Sequence, residues 1–374
     1  MARILHISTR FAKGGAERNT AQIMTWQVEA GHQVFLAVGP DPDPTIVPAG
    51  VKVIEFPELV REVRPVADLK AIQRLRFLTL RGRYDLVHTH NSKAGVVGRL
   101  AAAGTASKIV HTVHGTSFGS DHSRAVSEAF LRIERYCAAR TDVMICVGDE
   151  LRTEFLKAGV GRPEQYRVIR SPVEVDSFAR ARSMASDERR SILARLGVPE
   201  DRPILLMVGA LEPRKRSAWI VNILRPILSA RRARLIIAGE GPEQGEIEET
   251  VWRSRLDGVH LVGHITEMPQ LMAASHVLVH ASRAEGVSQV VIQALIVGLP
   301  IVATDVTGLR EVAGAPVRAV PVSGEGFVSA VTHALAEPVA AVPLDAFESW
   351  KPANVRRAYE QLLESLLPGD PQAR

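Results

Sequence analysis

Cysteine is scarce in this 374-residue sequence: there are two, Cys137 and Cys146, in different expected elements. That excludes a disulfide framework and a thiolate metal cluster, and it fits a reducing cytosol. Long apolar runs are also missing. The most apolar stretch, 290–303, is broken by Gln293, Gly298 and Pro300, short of the ~20 residues of a membrane-spanning helix. The chain enters an expected strand, "RILHIS", without a charged leader, an apolar core or a cleavage site, so a cytoplasmic location is expected. Low-complexity tracts and solenoid repeats are absent. So is a full dinucleotide fingerprint: "IIAGEGPEQGEIE" supplies Gly239 and Gly241, but Gln244 holds the third glycine position and Pro242 interrupts the loop. A nicotinamide dehydrogenase therefore lacks its signature, and the two glycines read equally well as a tight turn.

What remains is a globular composition, 46% apolar and 23% charged, with a formal net charge of +5 that admits anionic partners without selecting one. Short β-branched runs alternate with helical patterns. "RILHIS", "QVFLAV", "DLVHTH", "KIVHTVH" and "DVMICVG" form one series, with a helix expected over about 15–30. A charged segment around 177–202 interrupts it. "PILLMVGA", "RLIIAG", "VHLVG", "HVLVHA", "PIVATD" and "APVRAVPV" form a second series. The alternation predicts α/β architecture: two doubly wound parallel-sheet domains, 1–180 and 181–351, facing across a cleft, with a last helix over about 352–367. Ligands of such sheets bind at the carboxyl ends of the strands.

Several constellations sit at those ends. Gly14 and Gly15 follow the first strand, where backbone N–H groups can meet an anion; a flexible turn reads equally well. Arg214, Lys215 and Arg216 crowd a strand end in "GALEPRKRS", which suits a pyrophosphate or a solvated basic loop. His88, His90, His111 and His114 alternate along two neighbouring strands. No carboxylate or cysteine is placed to complete a tetrahedral set with them, so no metal is expected. In "AEGVSQVVIQALIVGLPIVATD", Ser288 is a plausible N-cap, the helix should run over 289–297, and Gly298 should stop it. Gln289 and Gln293 lean back toward Glu285, so carboxylate, free N–H groups and amides converge. The helix start suits a phosphate and the carboxylate suits hydroxyls or a developing positive charge. A ligand carrying both is a sugar nucleotide.

These segments, with "GGAE", "HTHNSKAGVVGRLAA", "HTVHG" and "VIRSPVEVDSF", occur in the order of the retaining glycosyltransferases of family four, and the sequence resembles that family over nearly its whole length. The resemblance implies the GT-B architecture of two Rossmann-like domains, the last helix crossing back to the first. It implies Glu285 and His114 as catalytic groups at the donor sugar. Lys215, with Arg214, would neutralise the diphosphate. Gly14 and Gly15 would close over it. Gly286, Val287, Ser288, Gln289 and Val290 would cradle sugar and phosphate, Gln293 would meet the ribose, and His264 and Ile265 the base. On the acceptor side stand His90, Asn91 and Lys93. Three positions depart from the pattern: Gln293 replaces a glutamate, Ala210 an arginine that Arg214 or Arg216 would replace, and "RSPVEVD" the usual "NGVD".

The activity implied is transfer of a hexosyl unit from a nucleotide sugar, with UDP the default base, to a hydroxyl of a glycan, glycolipid or small molecule, needing no metal or cofactor and no nucleic acid. A sugar-nucleotide 2-epimerase and a non-catalytic sugar-nucleotide-binding subunit are the alternatives. Segment 61–83, "REVRPVADLKAIQRLRFLTLRGR", is rich in arginine, and Val66, Leu69, Ile72 and Leu75 mark a helical stripe. It fits a sheet-covering helix with a basic outer face, or a peripheral contact with anionic lipid at the inner membrane face.

Overall fold

The computed structural model describes residues 1–12, 14–116, 118, 123–312, 314–337 and 339–367. The chain divides into two units, Met1–Pro172 with Pro352–Arg374, and Val173–Lys351.

Unit 1 is built on seven strands: β1 (Arg3–Ser8), β2 (Gln33–Val38), β3 (Lys52–Glu55), β4 (Leu86–His90), β5 (Lys108–Val113), β6 (Val143–Cys146) and β7 (Tyr166–Val168). Its helices are α1 (Gly15–Glu29), α2 (Pro65–Gly82), α3 (Ser92–Ala102), α4 (Arg124–Ala138) and α5 (Asp149–Lys157). All strand pairs are parallel, in the order β3-β2-β1-β4-β5-β6-β7. The strand order reverses between β1 and β4, which makes their carboxyl ends the switch point where such sheets bind ligands. β4 and most of β5 are buried although they carry His88, Thr89, His90, His111 and Thr112, so these polar side chains must find their partners inside the protein.

Unit 2 comprises α6 (Val175–Ala181), α7 (Ser186–Arg195), β8 (Ile204–Val208), α8 (Ser217–Ile223), α9 (Arg225–Ser229), β9 (Arg234–Ala238), α10 (Gln244–Arg253), β10 (Val259–Gly263), α11 (Met268–Ala274), β11 (Val277–His280), α12 (Gln289–Val297), β12 (Ile301–Thr304), β13 (Val317–Val320) and α13 (Phe327–Ala336). Its parallel sheet runs β10-β9-β8-β11-β12-β13, with the switch point between β8 and β11. Val291, Ile292, Leu295 and Ile296 of α12 are buried in its core with Leu206, Ile236 and Leu278. Each such side chain contributes roughly 1.5–3 kcal/mol of burial. The last helix, α14 (Pro352–Leu366), belongs to unit 1, where Val355, Tyr359, Leu362 and Leu363 pack with Ile23 and Trp26.

Three expectations are corrected. The division falls at 172/173 rather than near 180, because Val173, Val175 and Phe178 are buried in the unit 2 core. β3 and β7 were not expected; they are four and three residues long, and β3 is a largely exposed edge strand. On α2, Ala71, Leu75 and Thr79 face inward, whereas Val66 and Leu69 point to solvent at 72% and 57% exposure.

Candidate active site

In unit 2 the chain leaves β8 and β11 at the switch point, and the two loops carry the charged residues. Arg283 N–H donates to the Arg214 carbonyl at 2.9 Å, fixing one loop against the other. Gly239 and Gly241, both at positive φ, let a third loop close in: a Cβ at Gly239 would stand 1.9 Å from the Gly209 carbonyl oxygen, and one at Gly241 2.6 Å from that of Leu211. The broken fingerprint is thus a packing device. Gly308 does the same for the segment after Glu285, since its Cβ would lie 1.7 Å from the Gly286 oxygen.

Glu285 is the centre of this arrangement. It is buried, with its side chain 8% exposed. Lys215 Nζ donates to Oε1, and Arg214 Nη1 lies 3.8 Å from Oε2. The Ser282 hydroxyl donates to Oε1 at 2.6 Å, and His280 Nε2 lies 3.4 Å from the same oxygen. The Thr304 hydroxyl donates to the Ser282 carbonyl at 2.6 Å, tying the loop to β12. Burial by itself pushes the Glu285 carboxyl up. Lys215 first, then His280 and Arg214, outweigh it and hold the group well below the usual carboxylate range. The site therefore presents an ionised carboxylate beside two cations. Behind it, α12 runs over 289–297 and stops at Gly298 in the left-handed region, as its sequence predicts. Ser288 occupies the N-cap position without a side-chain capping bond.

Arg216 is corrected. It is 8% exposed, donates to the Val322 carbonyl and lies 3.8 Å over the Trp219 ring, so it braces the loop instead of offering charge to a phosphate. The start of α8 is likewise taken, since Glu243 Oε2 accepts from Ser217 N–H at 3.0 Å. Gly286 and Ser288 are buried; Val287, Gln289, Val290 and Gln293 are partly exposed. His264 is exposed just after β10, and Ile265 packs against the core. Sequence reasoning missed Ser282 and His280. The signal is "HASRAE", which runs from the end of β11 to Glu285.

Unit 1 gathers histidines at its own switch point. His6 Nδ1 lies 2.9 Å from His90 Nε2, and His6 Nε2 2.7 Å from Gln27 Oε1. His88 Nε2 lies 2.7 Å from the Thr112 hydroxyl, and His90 Nδ1 3.4 Å from His114 Nε2. Burial lowers His6 and His114 to about 4 and holds His88, His90 and His111 well below their ordinary value. These are neutral imidazoles in a shared network. His6, His88 and His90 also form the one cluster of metal-ligand spacing among the described residues, with one nitrogen each within 4.8 Å. All three are buried with ring nitrogens already hydrogen bonded inside the protein.

His90 is therefore corrected from an acceptor contact to a core residue, because its ring is buried between His6, Thr20 and His114. Lys93 is held by Asp68 and the Glu62 carbonyl, and Asn91 takes a left-handed φ of 61° before α3. His114 stands just past β5, partly exposed. Gly14 is the N-cap of α1 and Gly15 its first residue. The Glu17 carboxylate lies over Gly14, where a Cβ would meet its Oε2 at 2.3 Å. A separate cavity of about 440 Å³ lies between α1 and α14, lined by Trp26, Gln27, His32, Tyr359 and Leu363, and contains none of the predicted site residues.

Two open parallel sheets with charged loops at a switch point define a doubly wound α/β class, and the comparisons narrow it. Residues 14–172 match the glycosyl transferase 4-like domain, and residues 202–337 match the glycosyl transferases group 1 domain. Over 268 residues the chain is 29% identical to the UDP-Gal:α-D-GlcNAc-diphosphoundecaprenol α-1,3-galactosyltransferase of Escherichia coli, covering 69% of this chain and 67% of that one. Its fold is similar to Anabaena HepE in complex with UDP and glucose, with a TM-score of 0.75, 20% identity, and 98% and 100% of the two chains covered. Sucrose-phosphate synthase from Thermosynechococcus elongatus gives 0.77 at 23% identity, covering 98% and 99%. The chain belongs to the family-four glycosyltransferases and has the GT-B fold.

Proposed function

We propose that the protein transfers a hexosyl unit from a UDP-sugar to an acceptor hydroxyl, with retention at the anomeric carbon and without a metal. The observation that carries this reading is Lys215 and Arg214 converging on the buried, ionised Glu285 at the unit 2 switch point. In the reaction the bond from the anomeric carbon to the diphosphate breaks and the bond to the acceptor oxygen forms. The acceptor proton leaves with the diphosphate. Lys215 and Arg214 take up the charge of that leaving group, a role in which a preorganised donor is worth about 3 kcal/mol. Glu285 then faces the positive charge that develops on the sugar. Among the described residues no second carboxylate joins Glu285 in the network around it, which suits a same-face path better than a covalent glycosyl intermediate. His114 is assigned to the sugar ring by the family resemblance. The acceptor belongs to glycan, glycolipid or glycosylated natural-product synthesis.

The test is a UDP-sugar panel in EDTA, with acceptor-dependent UDP release and the product anomer read by NMR. An axial donor should give an axial product, and Glu285→Gln should abolish transfer while UDP still binds. Interconversion of the donor without an acceptor identifies a 2-epimerase. UDP binding with no turnover in the wild type identifies a non-catalytic subunit.

A further inference from the structure

The outer face of α2 is unlike a sheet-covering helix exposed to water. Val66, Leu69, Phe77 and Leu80 are 55–72% exposed, and Val63 just before the helix is 67% exposed. Positions 66, 69, 73, 77 and 80 follow at intervals of three and four, so the four side chains lie with Gln73 on one stripe opposite the buried Ala71, Leu75 and Thr79. The helix has 18 residues, so the stripe is on the order of 20 Å long. Five of the large hydrophobic side chains exposed among the described residues fall on this one segment.

The same segment, 61–83, carries seven cations and two carboxylates, a surplus equal to the net charge of the entire protein. Its carboxylates are occupied: Asp68 pairs with Lys93, and Glu62 lies 3.8 Å from Arg64. Arg74 is held by Glu58, and Arg76 by the Ala103 carbonyl. Arg61, Lys70, Arg81 and Arg83 are exposed and in no ion pair among the described residues, and Arg81 lies over the Phe77 ring at 4.3 Å. Apolar side chains and cations therefore alternate along one exposed surface.

We infer that this face docks on an anionic lipid bilayer, with Phe77, Leu80, Leu69 and Val66 entering the interface and Lys70, Arg81, Arg83 and Arg61 meeting lipid phosphates. A bilayer boundary accepts both groups at once: apolar side chains enter the acyl edge, and long cationic stems reach back to the headgroups. One signal alone gives weak, reversible attachment, and the pair gives stable attachment. A protein partner would have to supply apolar pockets and carboxylates in the same alternation. The inference rests on this surface and not on the donor chemistry of unit 2.

Flotation of the full chain with phosphatidylcholine vesicles, with and without one quarter phosphatidylglycerol, tests it. The wild type should float with the anionic vesicles only. Phe77→Glu with Leu80→Glu should lower the partition coefficient at least about tenfold. Circular dichroism checks that the double variant is folded, and an unchanged UDP-induced melting shift shows that unit 2 is intact. If neither protein shows that shift, the donor reading fails and the docking result still stands. The inference is overturned if the wild type ignores anionic vesicles, if the double variant binds them equally well, or if the face proves to join two copies, seen as a dimer that the double variant dissolves.

Discussion

Acidification should weaken unit 1 far more than unit 2. His6 and His114 titrate near 4 in the folded chain, against an ordinary value near 6.5. Below 6.5 the unfolded chain takes up protons that the folded one refuses, so stability falls as the pH drops from 6.5 toward 4. At pH 5 each such histidine costs about 2 kcal/mol, so the two together cost about 4 kcal/mol. His88, His90 and His111 are shifted the same way, which makes that sum a lower bound. Domains hold only about 5–15 kcal/mol in total, so the loss is a large share of the whole. Unit 2 has His260 and His276 lowered, both partly buried, and its loss should be smaller. Hydrogen exchange read by mass spectrometry, corrected for intrinsic rates, resolves the units in one sample. The opening free energy of β1, β4 and β5 should drop between pH 7 and pH 5, with β8 and β11 nearly unchanged. Equal values at the two pH conditions for unit 1 refute the buried neutral network.

Other substitutions probe the packing. Ser282→Ala removes the hydroxyl that orients Glu285; kcat should fall about tenfold with the UDP dissociation constant unchanged, as steady-state kinetics and calorimetry would show. Gly308→Ala places a Cβ against the Gly286 oxygen at a φ of +79°, so transfer should drop sharply with a melting temperature several degrees lower, roughly 1–3 kcal/mol of strain. Arg99→Met strands Glu134, its buried partner at 2.7 Å, and should cost about 3–5 kcal/mol in urea unfolding; Arg99→Met with Glu134→Leu should recover most of it.

Much of this was legible from residue pattern. The β-branched runs located most strands because a doubly wound sheet is buried on both faces, and Gly298 stopped α12 where an αL residue was needed. β3 and β7 escaped because a short edge strand such as "KVIE" buries too little to leave a period. Glu285, Lys215 and Arg214 were legible as charges at strand ends. Arg216 was misread because a buried, ring-stacked arginine has the same letter as a free one. His6 was invisible for a related reason: its partners, Gln27 and His90, are 21 and 84 residues away. The outward turn of Val66 and Leu69 was hidden because α2 is apolar on two faces, so spacing alone did not say which one the sheet covers.

The most direct test of the central claim is a calorimetric titration of UDP into the wild type and into Lys215→Ala, both in EDTA. Micromolar binding by the wild type, weakened about 10–100-fold in the variant as expected for one lost charge-assisted contact, is the predicted result. Absence of binding without a divalent metal, or equal affinity in the two proteins, would contradict a diphosphate site built on Lys215.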